Sequence, residues 1–584
     1  SYLETIDANA MYYIPSRETE GYGMNKNAVD KLNERGIQLI ITVDNGIAAA
    51  EEVAYASSLG IDTVVTDHHM PSGELPKACA VVDLHREDCK SKFKNLSGVG
   101  VAFKLIMALE GEYCDTTTLL DNYSDLLSIG TIGDVVELKD ENRVFVKHGL
   151  ESITNTDRPG LQALIKNSGL TGKTISSTNV SFTIVPRINA VGRLGLSEKS
   201  VSLLLTEDYD EADEISSQLC GDNSERQVIE RDILEKIDEI IRRNPSLVND
   251  KIIVIDGENW HQGVIGLIAA KVKEAYGKPA IVISKLGDVA KGSGRSVEGF
   301  PLCDAVFACS DLLTHRGGHP MAVGLSLDPE NIPAFRKKIN EFADNFGKMP
   351  YDKINIECKL NPAYINLDLI DSLSLIQPYG AGNPTPVFGL YNMTLKNITP
   401  LSANRHLRLT LSRNNTQITA MKFFTSTEEF PYKVGETLDL AVNLDRNEFN
   451  GNVSVSVIVK DIKSSDCDTE NLLDSRTNYE NFCRGKQLTR SQLSDLMPDR
   501  NDFALLYRYL KSNGGYAFDT VTLPHMLDNR LSFGKIKVIL EAMRELGLIE
   551  ISEGMKTSKI SVLPVNGKVA LESAPIIKKL REVF

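Results

Sequence analysis

Between Asn25 and Val82 the apolar positions change period three times. "NKNAVDKLNERG" repeats at helical spacing and stops on glycine, and "IQLIITV" is a nearly unbroken apolar run rich in β-branched residues. "IAAAEEVAYASSLG" returns to an alanine-rich helical pattern closed by glycine, and "IDTVVT" is again continuous. Helix, strand, helix, strand in this order predicts parallel strands joined by crossover helices, because parallel neighbours cannot be joined by a tight turn. "DKIIVIDG", "QGVIGLIAAKVKEAYG" and "KPAIVISK" predict a second strand–helix–strand unit from Asp250 to Lys285.

From about residue 90 to 245 the period stays helical, and "ADEISSQLCGDNSERQVIERDILEKIDEIIRR" is predicted as a solvent-exposed linker helix. Near Phe388 the pattern becomes short alternating strands broken by Asn and Gly, as in "HLRLTLSRNNTQITAMKF" and "NGNVSVSVIVKDI", which predicts a small β-barrel. After "KSSDCDTEN", helical pieces and "LGLIEIS" resemble halves of a winged helix. A chain of 584 residues exceeds one core, and about three to five domains are expected at roughly 100–200 residues each. The changes of pattern divide it at 1–150, 151–245, 246–348, 349–463 and 464–584. The expected class is α/β: a parallel-sheet domain, a helical connector, a second α/β domain, a barrel with its lead-in, and a winged-helix-like α+β region.

Composition narrows the surroundings. Hydrophobic residues make up 42% of the chain and no run approaches the roughly 20 apolar residues of a membrane span, so no membrane association is expected. Nine cysteines are scattered without a CxxC pair, which argues against zinc ribbons and a disulfide framework and fits a reducing cytoplasm. There is no basic and apolar leader of the kind that directs secretion, but the chain starts at Ser1, which hints at a missing upstream segment. A net charge of −15 repels polyanions at long range, so any phosphate contacts must be local.

Candidate chemistry gathers at the ends of the predicted strands, where the crevice of a parallel sheet opens. Asp44 in "VDNG" and Asp67, His68 and His69 in "TDHH" are separated by about one helix and one strand, so neighbouring parallel strands bring them side by side. Asp134 in "SIGTIGDVVEL" is a third aspartate following an apolar segment. Oxygen and imidazole donors without thiolates favour manganese or magnesium over structural zinc. Two such ions can lower the pKa of a bridging water and clamp the oxygens of a phosphodiester during in-line attack. Asp67 is expected to orient His68 rather than to bind metal. Taken singly, each of these residues is as well explained by strand-end capping or an ordinary hydrogen-bonded histidine.

In this order "VDNG", "TDHH", "SGVGVAFKL" and "IGTIGDVVEL" resemble the DHH phosphoesterase family. "YYIPSRETEGYGM", "VPRINAVGRLG", "WHQGVIGLIAAKV", "GSGRSVEGFPLCDAV", "HRGGHPMAVGL" and "QPYGAGNPTPVF" narrow the likeness to its RecJ branch, bacterial single-strand-specific exonucleases. The likeness covers most of the chain before about residue 463. The tail is more weakly similar to the C-terminal extension of longer members.

The resemblance implies a DHH domain over 1–150, a DHH-associated nucleic-acid-binding domain over 246–348 and an OB-fold over 349–463. It implies metal-dependent 5′-to-3′ hydrolysis of single-stranded DNA in repair and recombination, with two manganese or magnesium ions in the complete protein. A single-strand-binding protein or a helicase is a candidate partner. Asp44 would match the bridging metal ligand, His68 the histidine ligand and Asp134 a further carboxylate, with His69 beside the scissile phosphate. Arg17 resembles an arginine near the phosphate path. Arg295, Ser296, Gly317, Gly318 and His319, on glycine-rich stretches read as loops, would grip the nucleic acid opposite the metal site. Arg187 and Arg193 would flank that cleft, unless one of them only pairs with a structural carboxylate. In the barrel "NRHLRLTLSRNN" offers Arg405, His406, Arg408 and Arg413 to a strand, Arg405 and Arg408 foremost, and because aromatics are sparse there, phosphate electrostatics should outweigh base stacking.

One family motif is not found. An Asp-x-Asp-x-Asp-Gly stretch is expected just before "SYLETIDANAMYYIPSR", so the DHH domain is expected to be incomplete at its N-terminus through truncation. Weakened or absent two-metal catalysis and uncovered apolar faces on the neighbouring strands would follow. Two rival readings stay open: a DHH-type phosphodiesterase for short oligonucleotides or cyclic dinucleotides, and a catalytically impaired DNA-binding scaffold.

Overall fold

The computed structural model of the chain describes all residues except 16–22, 72, 194–197, 450, 556–557 and 565–568, and for Val191, Arg193 and Phe449 the backbone alone. It divides into two units, Ser1–Val228 with Asp371–Thr385, and Ile229–Ile370 with Pro386–Phe584.

In the first unit the predicted alternation is present. Helix Lys26–Glu34 leads to β1 (Leu39–Val43), helix Ala50–Ser58 to β2 (Asp62–Asp67), and β3 (Ala80–Asp83) completes a parallel sheet in the order β1-β2-β3. Val29, Ala56 and Ile61 pack with Ile40 on the helical side. Leu39, Ile41 and Val43, at alternate positions of β1, are 49%, 36% and 52% exposed. Beyond the sheet, Ser97 caps helix Gly98–Glu110, and helices Thr116–Gly133 and Asp140–Thr154 build the core around Ile129, Val146 and Ile153. Asp371–Thr385 packs with this unit: Leu138 donates its backbone N–H to Ala381 O at 2.7 Å, and Ser177 Oγ donates to Tyr379 O at 2.6 Å. The predicted linker helix is Tyr209–Arg243, and it is not simply solvent-exposed. Ala212 and Leu219 are buried in the core of the first unit, and Ile233, Ile237 and Ile241 in that of the second.

The second unit begins with a five-stranded sheet in the order β4-β5-β6-β8-β7. β4 (Ile253–Glu258) and β5 (Ala280–Leu286) are the parallel pair predicted; β6 (Val289–Arg295), β7 (His315–His319) and β8 (Ala322–Leu327) add antiparallel neighbours. "GSGRS" and "HRGGH" therefore fall largely in strands, which corrects their reading as loops. Gly292 and Gly294 fit there because a Cβ would lie 2.9 Å from Leu325 Cδ1 and 2.7 Å from Val323 Cγ2 respectively, so side chains of the neighbouring strand occupy the space. After the short β9 (Cys358–Lys359), strands β10 (Phe388–Leu401), β11 (His406–Arg413), β12 (Thr416–Lys422), β13 (Thr437–Phe449) and β14 (Asn452–Ser464) form the barrel, closed by the β10–β11 pairing. Leu407, Leu409 and Leu411 point inward and are fully buried, as the period-two pattern requires. Residues from Thr469 onward form helices and a hairpin, Ile549–Glu553 with Ser558–Val562, over a separate apolar core. Among the described residues no helix is long and apolar enough to cross a membrane.

Helix Asp140–Thr154 crosses Thr116–Gly133 at Gly149, where a Cβ would overlap Ser128 Oγ and the Ser124 carbonyl. Gly149→Ala improves intrinsic helix propensity by about 1 kcal/mol, yet overpacking should destabilise the unit by about 1–3 kcal/mol net. Thermal unfolding checks this: a lowered midpoint is expected, and a raised one would show that the two helices can separate without loss.

Candidate metal centre

The chemistry-bearing side chains sit where strands and a helix stop. Asp44 leaves β1 at φ 64°, a left-handed conformation that aspartate tolerates better than most residues, and Gly46 follows at φ 110°. Asp67 is the last residue of β2, with His68 and His69 directly after it. Because β1 and β2 are parallel neighbours, both groups leave the sheet at the same edge. Asp134 arrives differently, as the C-terminal cap of helix Thr116–Gly133.

All three converge on one nitrogen. His68 Nε2 lies 2.9 Å from Asp44 Oδ1 and 3.4 Å from Asp134 Oδ2, and donor atoms of Asp44, His68 and His69 lie within 4.8 Å of one another. On the other side of the ring, Nδ1 is 3.1 Å from the Leu96 carbonyl oxygen. A carbonyl only accepts, so Nδ1 carries the hydrogen and Nε2 of the neutral ring presents a lone pair. Nε2 is buried and has no aligned hydrogen-bond partner among the described residues, so it meets two carboxylates lone pair to lone pair. That contact is repulsive unless a positive charge lies among the three groups.

A proton can supply the charge. Burial lowers the His68 pKa, but the adjoining Asp44 carboxylate and the charge of Asp134 outweigh burial and hold it above its ordinary value. A divalent cation answers the same need, and one imidazole nitrogen with carboxylate oxygens suits manganese or magnesium. Asp134 also fits a cation. Burial raises its pKa, the charge of Asp44 adds to that, and a helix C-terminus is an unfavourable place for a carboxylate. The donors present therefore fit a divalent metal.

Asp67 is a clamp of another kind. Only 1% exposed, it accepts from Ile47 N at 3.0 Å through Oδ2, and from His68 N at 2.8 Å and His69 Nδ1 at 2.7 Å through Oδ1. Burial raises its pKa, but these hydrogen bonds, His69 foremost, hold it below the ordinary value. It thus orients the His69 ring and the His68 backbone, whereas the His68 ring is oriented by the Leu96 carbonyl. Sequence reasoning missed that carbonyl, and no residue type signals it. It also missed Gly98, where a Cβ would lie 2.5 Å from Asp44 Oδ1. "SGVG" offered a signal there, since glycine directly after a serine cap suggests crowding.

The other predicted residues are dispersed. Arg17 lies outside the described residues. Arg187 donates from Nη1 to Thr183 O at 2.7 Å, and its buried Nε has no partner among the described residues; Arg193 closes the same helix, Val185–Arg193. In the second unit Arg295 Nη1 donates to Gly294 O at 2.8 Å, and burial lowers its pKa. Ser296 corrects the expectation: it is 2% exposed and its hydroxyl donates to Phe300 O at 2.7 Å, so it braces its turn rather than offering a group to nucleic acid. Gly318 and His319 are exposed on β7, with Gly317 half-buried beside them, and Arg405 and Arg408 are exposed at the start of β11.

Three family models match the chain: the DHH family N-terminal domain over residues 1–131, the DHHA1 domain over 249–345 and the RecJ OB domain over 356–461. The single-stranded-DNA-specific exonuclease RecJ of Bacillus subtilis (strain 168) is 36% identical over 482 residues, which cover 81% of this chain and 60% of that protein. The chain thus spans about three fifths of that relative's length. The exonuclease of the same name from Escherichia coli (strain K12) is 32% identical over 478 residues, covering 78% of this chain and 82% of the relative. The crystal structure of RecJ in complex with Mn2+ from Thermus thermophilus superposes with a TM-score of 0.67 at 30% identity, over 80% of this chain and 66% of that one.

Gly98→Ala removes no donor but pushes Asp44 away from His68. Manganese affinity should fall by about 10- to 100-fold, the scale on which supporting residues tune metal sites, and titration calorimetry can read it. Unchanged affinity would mean that Asp44 does not hold the ion.

Proposed function

The chain belongs to the RecJ family of single-stranded-DNA-specific exonucleases, and from that premise we propose that it hydrolyses phosphodiester bonds of single-stranded DNA from the 5′ end in a manganese- or magnesium-dependent reaction. The observation that carries this reading is the position of His68 Nε2 between the carboxylates of Asp44 and Asp134, with Nδ1 of the same ring against the Leu96 carbonyl. When bound, divalent metal supplies an activated water and charge stabilisation at the phosphate.

The chain's own residues do the remaining work. Asp44, His68 and Asp134 hold the cations, and Gly98 leaves room for the Asp44 carboxylate. Asp67 fixes the His69 ring through Nδ1, so that the ring stands beside the scissile phosphate. Arg17, Arg187, Arg193, Arg295 and His319 take phosphate oxygens of the strand, with Gly317 and Gly318 letting the backbone approach. Arg405 and Arg408 of the barrel offer cations to such a strand. A single-strand-binding protein or a helicase would deliver such a strand, and a cytoplasmic setting suits nine free cysteines.

The test uses the full chain with manganese and a strand labelled at either end. Asp44→Asn should lower the rate by roughly a hundredfold or more, corresponding to several kcal/mol of lost charge stabilisation. Label should leave as mononucleotide first from the 5′ end. Equal activity of Asp44→Asn and the unaltered chain, or a preference for dinucleotides over long strands, would defeat this reading.

A further inference from the structure

From Arg500 onward the elements follow one another as in a winged helix. Helix Arg500–Ser512, an isolated pairing of Tyr516 with Ile560, helices Leu523–Met526 and Phe533–Glu545, and the hairpin Ile549–Glu553 with Ser558–Val562 enclose one apolar core. In helix-turn-helix modules that bind nucleic acid the second helix enters a groove, and a groove also admits a two-stranded ribbon. In this chain both of those elements are occupied by other parts of the protein.

Helix Phe533–Glu545 is buried along its whole length, from Phe533 and Gly534 through Ile539 to Met543. Its first turn lies under helix Thr469–Cys483: Gly534 N donates to Ser475 Oγ at 2.9 Å, and a Cβ on Gly534 would lie 2.7 Å from the Ser475 carbonyl oxygen. Its lysines are paired, Lys535 with Asp502 at 3.3 Å and Lys537 with Glu553 at 2.7 Å. The covering helix is tied in turn to the second α/β domain. Glu480 pairs with the buried Lys278 at 2.9 Å, and Lys486, just past the helix, pairs with Asp344 at 2.6 Å. The hairpin is used at its tip. Met555 N donates to Asp238 Oδ1 at 2.9 Å on the long helix Tyr209–Arg243, and the Met555 side chain packs against the core that Ile233, Ile237 and Ile241 of that helix help to form.

We propose that residues 464–584 are an internal brace: tied to the second α/β domain through helix Thr469–Cys483, they hold the hairpin tip against residues 229–243 of the long helix and do not read nucleic acid. A helix end frays readily unless unwinding must also break contacts made by another segment, and the Asp238 and Met555 contacts supply that resistance. The role is conformational and goes beyond the exonuclease reading, since it holds whichever substrate the metal centre acts on.

Hydrogen exchange of the full chain, read by mass spectrometry, tests the brace. Asp238→Ala should speed exchange of amides in 229–243 and at the hairpin tip by about 10- to 100-fold, the range for losing one hydrogen bond to a charged group, while the barrel and helix Arg500–Ser512 keep their protection. Asp238→Asn retains an acceptor oxygen for Met555 N and should restore protection, and Met555→Glu should reproduce the loss without altering the helix sequence. A second measurement asks whether the region reads nucleic acid. Arg544→Ala combined with Lys559→Ala removes one exposed cation from each of the two elements. Affinity of that double variant for a fluorescein-labelled duplex or single strand, and its dependence on salt, should match the unaltered chain. Unchanged exchange in both Asp238→Ala and Met555→Glu, or a rise spread evenly over the whole chain, would overturn the brace. A salt slope lowered by one or more phosphate contacts in the double variant would overturn it as well and make the region a nucleic-acid-binding module.

Discussion

An imidazole nitrogen facing two carboxylates is the constraint around which the first unit is arranged. The Leu96 carbonyl fixes which His68 nitrogen holds the hydrogen, and so directs a lone pair at Asp44 and Asp134. With His68 neutral and no cation present, that arrangement opposes folding of the site through repulsion among like partial charges. The surrounding structure keeps the groups together. Asp44 is seated in a left-handed turn, Gly98 gives it space, and Asp134 is carried on a helix whose neighbour can approach only because of Gly149. The geometry of the protein therefore holds these donors together before any ion arrives.

Asp67 shows how one carboxylate can be excluded from such a centre. Three backbone amides and an imidazole saturate its oxygens, and its pKa is lowered accordingly. Asp44 and Asp134 are the carboxylates that reach His68 Nε2. Position at the end of a strand brings an aspartate to the crevice; its hydrogen-bond partners then decide whether it meets a ligand or supports a neighbour.

Much of this was legible in the sequence because strand periodicity and the family motifs act together. Two parallel strands ending in "VDNG" and "TDHH" must bring Asp44 close to His68. The helical origin of Asp134 was less visible, since an apolar run before an aspartate does not distinguish strand from helix. The Leu96 carbonyl could not be read at all, because every residue has one. Glycine in "GSGRS" and "HRGGH" pointed toward loops, and the fold uses it in strands where neighbouring side chains fill the missing volume. Ser296 looked like a donor and is a buried brace.

Anomalous diffraction at the manganese edge from crystals of the full chain grown with the ion tests the central claim most directly. The account predicts density bonded to His68 Nε2 and to carboxylate oxygens of Asp44 and Asp134, with Asp67 still turned toward Ile47 and His69. Manganese bound elsewhere, or held by Asp67 in place of Asp44, would contradict it.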